Sequence, residues 1–285
     1  MGTGMLDARK IKIAAQPIIW SNDDFHDLGG KTPLETCLGE MREAGYTGTE
    51  LGHKFPKDAR LLKPILGRFG LELVSGWHST YLATRDFKSE RAGYLAHLDF
   101  LSDMGCAVVI AAECSGRVYN EPSKQLDWAF EQAPFTAEEE KRIYSGLDEF
   151  ARLASDRGMK LVYHHHMGTG IQSLAQIDRL LSATQDVWLL GDTGHLAFAG
   201  ESPRDVFAKY ASRIGHVHLK NVRTEVVARA RKERLSFDRA VRDGVFTVPG
   251  DSGIDYQPIF EILRESGYAG WMVVEAEQDP DKANP

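Results

Sequence analysis

Ten histidines occur in the 285 residues, and six of them fall between positions 164 and 218. Such a surplus points to metal ligation or proton transfer. Polar residues also recur where short apolar runs end. Glu50 closes one run, with His53 and Lys54 after it; Trp77 and His78 close the next, and Glu113 another. Then come His164-His165-His166, Asp192 with His195 three residues on, His216 and His218, and Glu275 followed by Glu277. If the last four runs are neighbouring strands, His164, Asp192, His218 and Glu275 collect on one half of a shared rim. Two nitrogen and two oxygen ligands suit Mn²⁺, Co²⁺ or Zn²⁺.

Plainer roles stand beside that one. Asp192 could cap a turn in Asp-Thr-Gly, and Glu50 and Glu113 could sit in strand-end ion pairs. His166 could bond a loop carbonyl, and His216 could be a core or supporting histidine. His165 should point away from its neighbours in an extended strand. Glu275, after WMVV, is harder to set aside, because buried carboxylates are seldom unpaired. Lys54 reads as a substrate contact, whereas His26, His53, His78 and His97 read as solvated.

The elements that must position these residues alternate. Apolar runs at 11–15, 47–51, 71–76, 107–112, 160–164, 187–191, 214–220 and 271–275 read as strands. The run at 107–112 is apolar on both faces, as a covered parallel strand should be. Between the runs lie stretches with helical spacing, such as Leu34, Cys37, Leu38 and Met41. TPLE at 32–35 and Thr136 with Glu139 read as capping boxes, and Ser173 as a helix cap. Eight strands joined by helices predict a (β/α)8 TIM barrel, one domain over 1–285. A doubly wound sheet would bring a glycine-rich phosphate loop after its first strand, and AAQPIIWSNDD is not one. Residues 221–253 are too long for a βα loop, and 225–243 read as an inserted polar helix or lid. Only ten residues follow Glu275, so the last helix is expected to be short or missing.

Composition narrows the function classes. Hydrophobic residues at 42% support a large core, and a net charge of −7 disfavours nucleic acid. No run is long enough for a membrane span and no leader is read at the start. Cys37, Cys106 and Cys114 read as reduced thiols of a cytoplasmic protein. A homo-oligomer is left open.

Several segments, taken together, resemble a known family. PIIWSNDD, GYTGTELGHKFP, LVSGW, YHHHMGTGIQ, GDTGH, HVHLKNVR and GWMVVEAEQDP are similar to the inosose dehydratase family of myo-inositol catabolism. That family lies among the xylose-isomerase-like barrels, with inosose isomerases, ketose epimerases and an apurinic endonuclease. The resemblance implies a divalent metal on His164, Asp192, His218 and Glu275, with His166 replacing His164 if the fifth strand is shifted. It also associates glutathione with the family. Where related barrels carry Glu on the fifth strand this chain has His164. That removes one of two paired carboxylates, disfavours a two-Glu epimerase and leaves the general base open. The implied reaction is dehydration of 2-keto-myo-inositol (scyllo-inosose), a cyclic polyol ketone, to a trihydroxycyclohexane-1,2-dione. The alternative is an inosose isomerase or sugar epimerase that returns the proton. Expected roles are Glu275 or Glu50 as base, His195 or Lys54 assisting the leaving hydroxyl, and Trp20, Asn22, Trp77, His166 and Lys220 on the substrate.

Overall fold

The computed structural model describes residues 10–127, 135–251, 253–283 and 285. Its strands are β1 (Ile11–Ala15), β2 (Gly48–Thr49), β3 (Glu72–Leu73), β4 (Trp77–Thr80), β5 (Val108–Glu113), β6 (Lys160–His164), β7 (Trp188–Asp192), β8 (Ile214–Leu219), β9 (Asn221–Val222), β10 (Phe246–Thr247) and β11 (Gly270–Val274). Nine of them form one parallel sheet in the order β3-β2-β1-β11-β8-β7-β6-β5-β4. The two edges, β3 and β4, are halves of one stave. Val74 N donates to Thr49 O across one side of the gap, and Ile110 N donates to Gly76 O across the other. The sheet therefore closes into an eight-stave α/β barrel.

Alternation along each stave decides what enters the barrel. On β6, Leu161 and Tyr163 join the large core between sheet and helices. Val162 instead meets Val108, Ile110 and Leu190 in a separate small cluster in the lumen. His164 shares the parity of Val162 and so continues the inward row. By the same parity Asp192 follows Leu190, and Glu275 follows Val273.

β8 needs a correction to reach this phase. Leu189 pairs with Ile214, but Leu190 pairs with His216, so Gly215 is an extra residue in the ladder. Ile214 packs outward in the main core, and the bulge turns His216 and His218 inward. Asp192 then lies directly opposite His218. A Cβ at position 215 would come within 2.9 Å of Val162, which explains the glycine.

Local expectations fared unevenly. Thr136 and Glu139 form their capping box, but Thr32 caps nothing: the helix Leu34–Glu43 starts from Pro33, whose carbonyl takes Thr36 N and Cys37 N. The insertion is not one polar helix. It comprises Thr224–Glu233 and Phe237–Arg242, between the antiparallel strands β9 and β10. Its inner face is apolar, with Ala230, Phe237, Ala240, Val241 and Phe246 buried in one cluster. Among the described residues no helix follows β11. The tail instead crosses the mouth, burying Ala276, Glu277 and Gln278.

Candidate active site

The segment GDTGH shows how the local sequence builds the floor. Asp192 Oδ1 accepts from His195 N at 2.8 Å and caps the helix Thr193–Ala199. Its other oxygen stays available. Thr193 Oγ1 donates to Lys220 O at 2.6 Å. A Cβ at Gly194 would lie 2.4 Å from the Lys220 stem, so glycine here lets the lysine pass. Lys220 Nζ then reaches His195 Nε2 at 2.9 Å, Glu277 Oε1 at 2.7 Å and Glu275 Oε1 at 3.0 Å.

Four ligating groups converge on the free oxygen of Asp192. Asp192 Oδ2 is 3.5 Å from His164 Nε2 and 3.4 Å from His218 Nδ1, and Glu275 Oε2 is 2.5 Å from His218 Nδ1. The four residues offer ligand atoms that all lie within 4.8 Å of one another. Asp192 Oδ2, His218 Nδ1 and Glu275 Oε2 are buried and crowded together, yet none of them completes a well-aligned hydrogen bond among the described residues. Buried polar atoms are rarely left so. Their convergence fits a divalent cation.

Behind them, Glu50 holds the back of His218. Its Oε1 lies 3.2 Å from His218 Nε2 and 2.8 Å from His216 Nε2, and accepts from Ser75 Oγ at 2.6 Å. A carboxylate on Nε2 leaves Nδ1 for the metal, the usual supporting arrangement. A second His/Glu group, His166, His195 and Glu277, adjoins the first.

Burial and charge set the protonation. Burial opposes ionisation of Asp192 and Glu277, but Lys220 and the neighbouring histidines together outweigh it and hold both well below the carboxylate range. Burial pushes His164 down to about 4. Burial and the Lys220 ammonium keep His195 neutral. On the loop after β1 the balance reverses: burial, with Glu277 and Asp23 nearby, pushes the Asp24 carboxyl up to about 7.

A cleft of about 400 Å³ opens above this floor. His164, His166, His218, Glu50, Glu275 and Trp77 line it from the barrel. Asp23, Asp24, His53, Lys57, Arg117 and Tyr119 line it from the loops.

The Xylose isomerase-like TIM barrel family matches residues 38–285. An inosose dehydratase of Clostridium beijerinckii is 46% identical, over 99% of this chain and 94% of its own. One of Geobacillus thermodenitrificans is also 46% identical, with the same coverage. The chain belongs to the inosose dehydratase family. Its fold is shared with an L-ribulose 3-epimerase structure (TM-score 0.63, 18% identity, 93% of this chain and 81% of that one).

Against this family background, the structure divides the residues expected from sequence. It gathers His164, Asp192, His218 and Glu275, with His166 beside them and Trp77 packed edge-on to His164 at 5.5 Å. Lys220 and His195 lie beneath the cleft, fully buried. Three others are turned elsewhere. Trp20 is buried and its Nε1 donates to Glu40 Oε2 at 2.5 Å. Asn22 Oδ1 accepts from Asp24 N and Phe25 N, both at 2.8 Å, capping its own loop. Lys54 Nζ is spent on the carbonyls of Gly29, Gly30 and Thr32.

Of the histidines expected at the surface His26 is exposed, but the others shift. His53 lines the cleft, and His78 packs on Tyr94 at 5.1 Å, where burial lowers it to about 4. His97 is half-buried against His78. His165 leaves the inward row as expected, yet it is fully buried and its Nε2 accepts from Asp192 N at 3.4 Å. Glu113 forms no ion pair among the described residues; it accepts from Thr80 Oγ1, Leu82 N and Ser115 N instead. The reading of single residues missed Asp23, Asp24 and Arg117. WSNDD held the signal for the first two, as a polar run directly after a strand.

Proposed function

We propose that this protein removes water from scyllo-inosose, giving a trihydroxycyclohexane-1,2-dione. The supporting observation is the convergence of four buried ligand atoms under a polyol-sized cleft, in a chain with full-length relatives named inosose dehydratase. When a divalent ion such as Mn²⁺ or Co²⁺ is held by His164, Asp192, His218 and Glu275, it supplies Lewis acidity to a substrate oxygen.

The chain's own groups move the protons. Glu50 and Glu275, the carboxylates expected as base, are engaged: one by three donors, the other by Lys220 and His218. Asp24 is the better base. It faces the cleft, and a carboxyl near 7 is matched to proton transfer at neutral pH. It takes the proton beside the ketone. The carbon–oxygen bond of the β-hydroxyl breaks, hydroxide leaves as water once protonated, and the enol becomes the second ketone. No oxidant is needed. Trp77 and Tyr119 offer ring faces, and Arg117 a cation, to a polyol.

The reading places the protein in the cytoplasm. Among the described residues no helix is long and apolar enough to cross a membrane. Glutathione would not act through a mixed disulfide with this chain, because all three thiols are buried and raised to about 11 or 12 by that burial.

Incubation of the purified protein with scyllo-inosose tests the reading. Mass and NMR should show loss of one water, stopped by a chelator and restored by Mn²⁺ or Co²⁺. An isomer of unchanged mass would favour the epimerase alternative. Unreacted substrate under all metals would end both.

A further inference from the structure

Elimination needs two proton transfers, and Asp24 accounts for one. The leaving hydroxyl needs a donor that reaches the cleft. The polar groups of the floor are committed: Lys220 is closed in by Glu275 and Glu277, and His218 lies between Glu50 and Glu275. His195, expected to assist the hydroxyl, is fully buried beneath the cleft, with its Nε2 against Lys220 Nζ at 2.9 Å.

On the opposite rim, the loops after β1 and β2 build a second constellation. Asp23 Oδ1 accepts from His53 N at 2.9 Å and meets His53 Nδ1 at 2.6 Å. One carboxylate oxygen therefore fixes both backbone and ring of the same residue. His26 stacks on that ring with centroids 4.4 Å apart, which limits its rotation. His53 and Asp23 keep 26% and 25% of their side-chain surface, and both line the cleft with the metal-ligand residues. Among the described residues Nε2 of His53 has no hydrogen-bond partner. A carboxylate on Nδ1–H directs the other nitrogen at substrate, the logic of base-and-orienter pairs. Imidazole is also the commonest general acid.

We infer that His53, oriented by Asp23, is the general acid that protonates the departing hydroxyl; this rests on the dehydratase reading above. The Nε2–H proton passes to the leaving oxygen as the carbon–oxygen bond breaks, water departs, and the neutral imidazole is reprotonated from solvent. Adjacent aspartates then divide the work: Asp24 takes a proton inside the cleft, while Asp23 steers a donor at its rim. The split also separates dehydration from isomerisation, since an enolate without this donor can only take its proton back.

The test runs wild type, His53→Gln and Asp23→Asn with scyllo-inosose and Mn²⁺ in D₂O, following deuterium entry beside the ketone and loss of water separately. His53→Gln should lose water about 10²–10⁴-fold more slowly while deuterium entry stays within about threefold. Asp23→Asn should show the same split at smaller size. Bound Mn²⁺, counted by metal analysis, should be unchanged in both, which certifies the fold. Equal losses of exchange and dehydration, or dehydration kept within threefold, would overturn the assignment. Wild type that loses no water would overturn the dehydratase reading, and this inference with it.

Discussion

The two halves of the barrel mouth are built differently. The half made by β6, β7, β8 and β11 carries its chemistry on strand ends, in inward rows set by parity and one bulge. Its charges are buried and mutually compensated. The half made by the loops after β1 and β2 carries Asp23, Asp24 and His53 on irregular backbone, partly open to the cleft. Rigid staves suit groups that must hold a cation in fixed geometry. Loops suit groups that meet substrate and exchange protons with water. The proposed reaction thus divides ligation and proton transfer between scaffold and rim.

Breaking the strand-end half should have the largest effect. Asp192→Ala or His218→Ala should abolish Mn²⁺ retention in metal analysis and lower turnover by about 10³-fold or more, the scale of losing a principal electrostatic stabiliser. Variants that keep both metal and rate would refute the four-residue site. Asp24→Asn tests the rim half. It should cost about 10²–10⁴-fold in rate with metal content intact.

Asp24 also predicts two opposite pH trends. Its carboxylate form, the base, fills in as pH rises toward about 7, so the wild-type rate should climb there and the variant's should not. The groups facing it are His166, Glu277, Asp23 and Lys220. For stability the sign is reversed. Burial raises the folded carboxyl to about 7 from its ordinary 3.8, so between the two the fold binds a proton that the unfolded chain has released. Its contribution is complete below the lower value and is lost as pH climbs through the higher one. Melting scans of the metal-free protein should show wild type falling further behind Asp24→Asn between pH 4 and 8. Parallel curves would place Asp24 outside that cluster.

The contrast also explains what the sequence made legible. Strand runs and their inward ends follow from alternation, so His164, Asp192 and Glu275 could be set on one rim from the sequence. The bulge at Gly215 could not, because a glycine in an apolar run has many causes; yet that bulge sets His218 opposite Asp192. Nor does spacing tell where a loop side chain turns. Trp20, Asn22 and Lys54 lie among functional residues in sequence, yet Trp20 turns to a helix, Asn22 to its own loop and Lys54 to the neighbouring loop. The insertion was misjudged as polar because its apolar positions are spread over two short helices.

Lys220 joins the two halves electrostatically and should show its role in stability. It is fully buried, with Asp192, Glu275 and Glu277 around it. Lys220→Met leaves three buried carboxylates without their cation, a loss of about 3–5 kcal/mol by the usual cost of breaking a buried pair. Urea unfolding of the metal-free protein measures it. Bound Mn²⁺ should recover part of the loss, because it returns positive charge to the same carboxylates.

Lys54 should give the smallest effect and the sharpest control. Its ammonium reaches three carbonyls at 3.2, 3.0 and 2.5 Å, tying the loop after β2 to residues 29–32. Those residues follow Asp23 and Asp24, so the lysine braces the catalytic loop from outside the cleft. Lys54→Met removes hydrogen bonds from a charged donor, worth about 1.5–3 kcal/mol when buried and less at this partly exposed site. Stability should drop by about 1 kcal/mol. KM should rise by no more than about threefold through a looser loop, with kcat kept, as for lost uniform binding. A fall in kcat comparable to that of Asp24→Asn would mean that Lys54 turns into the cleft during turnover.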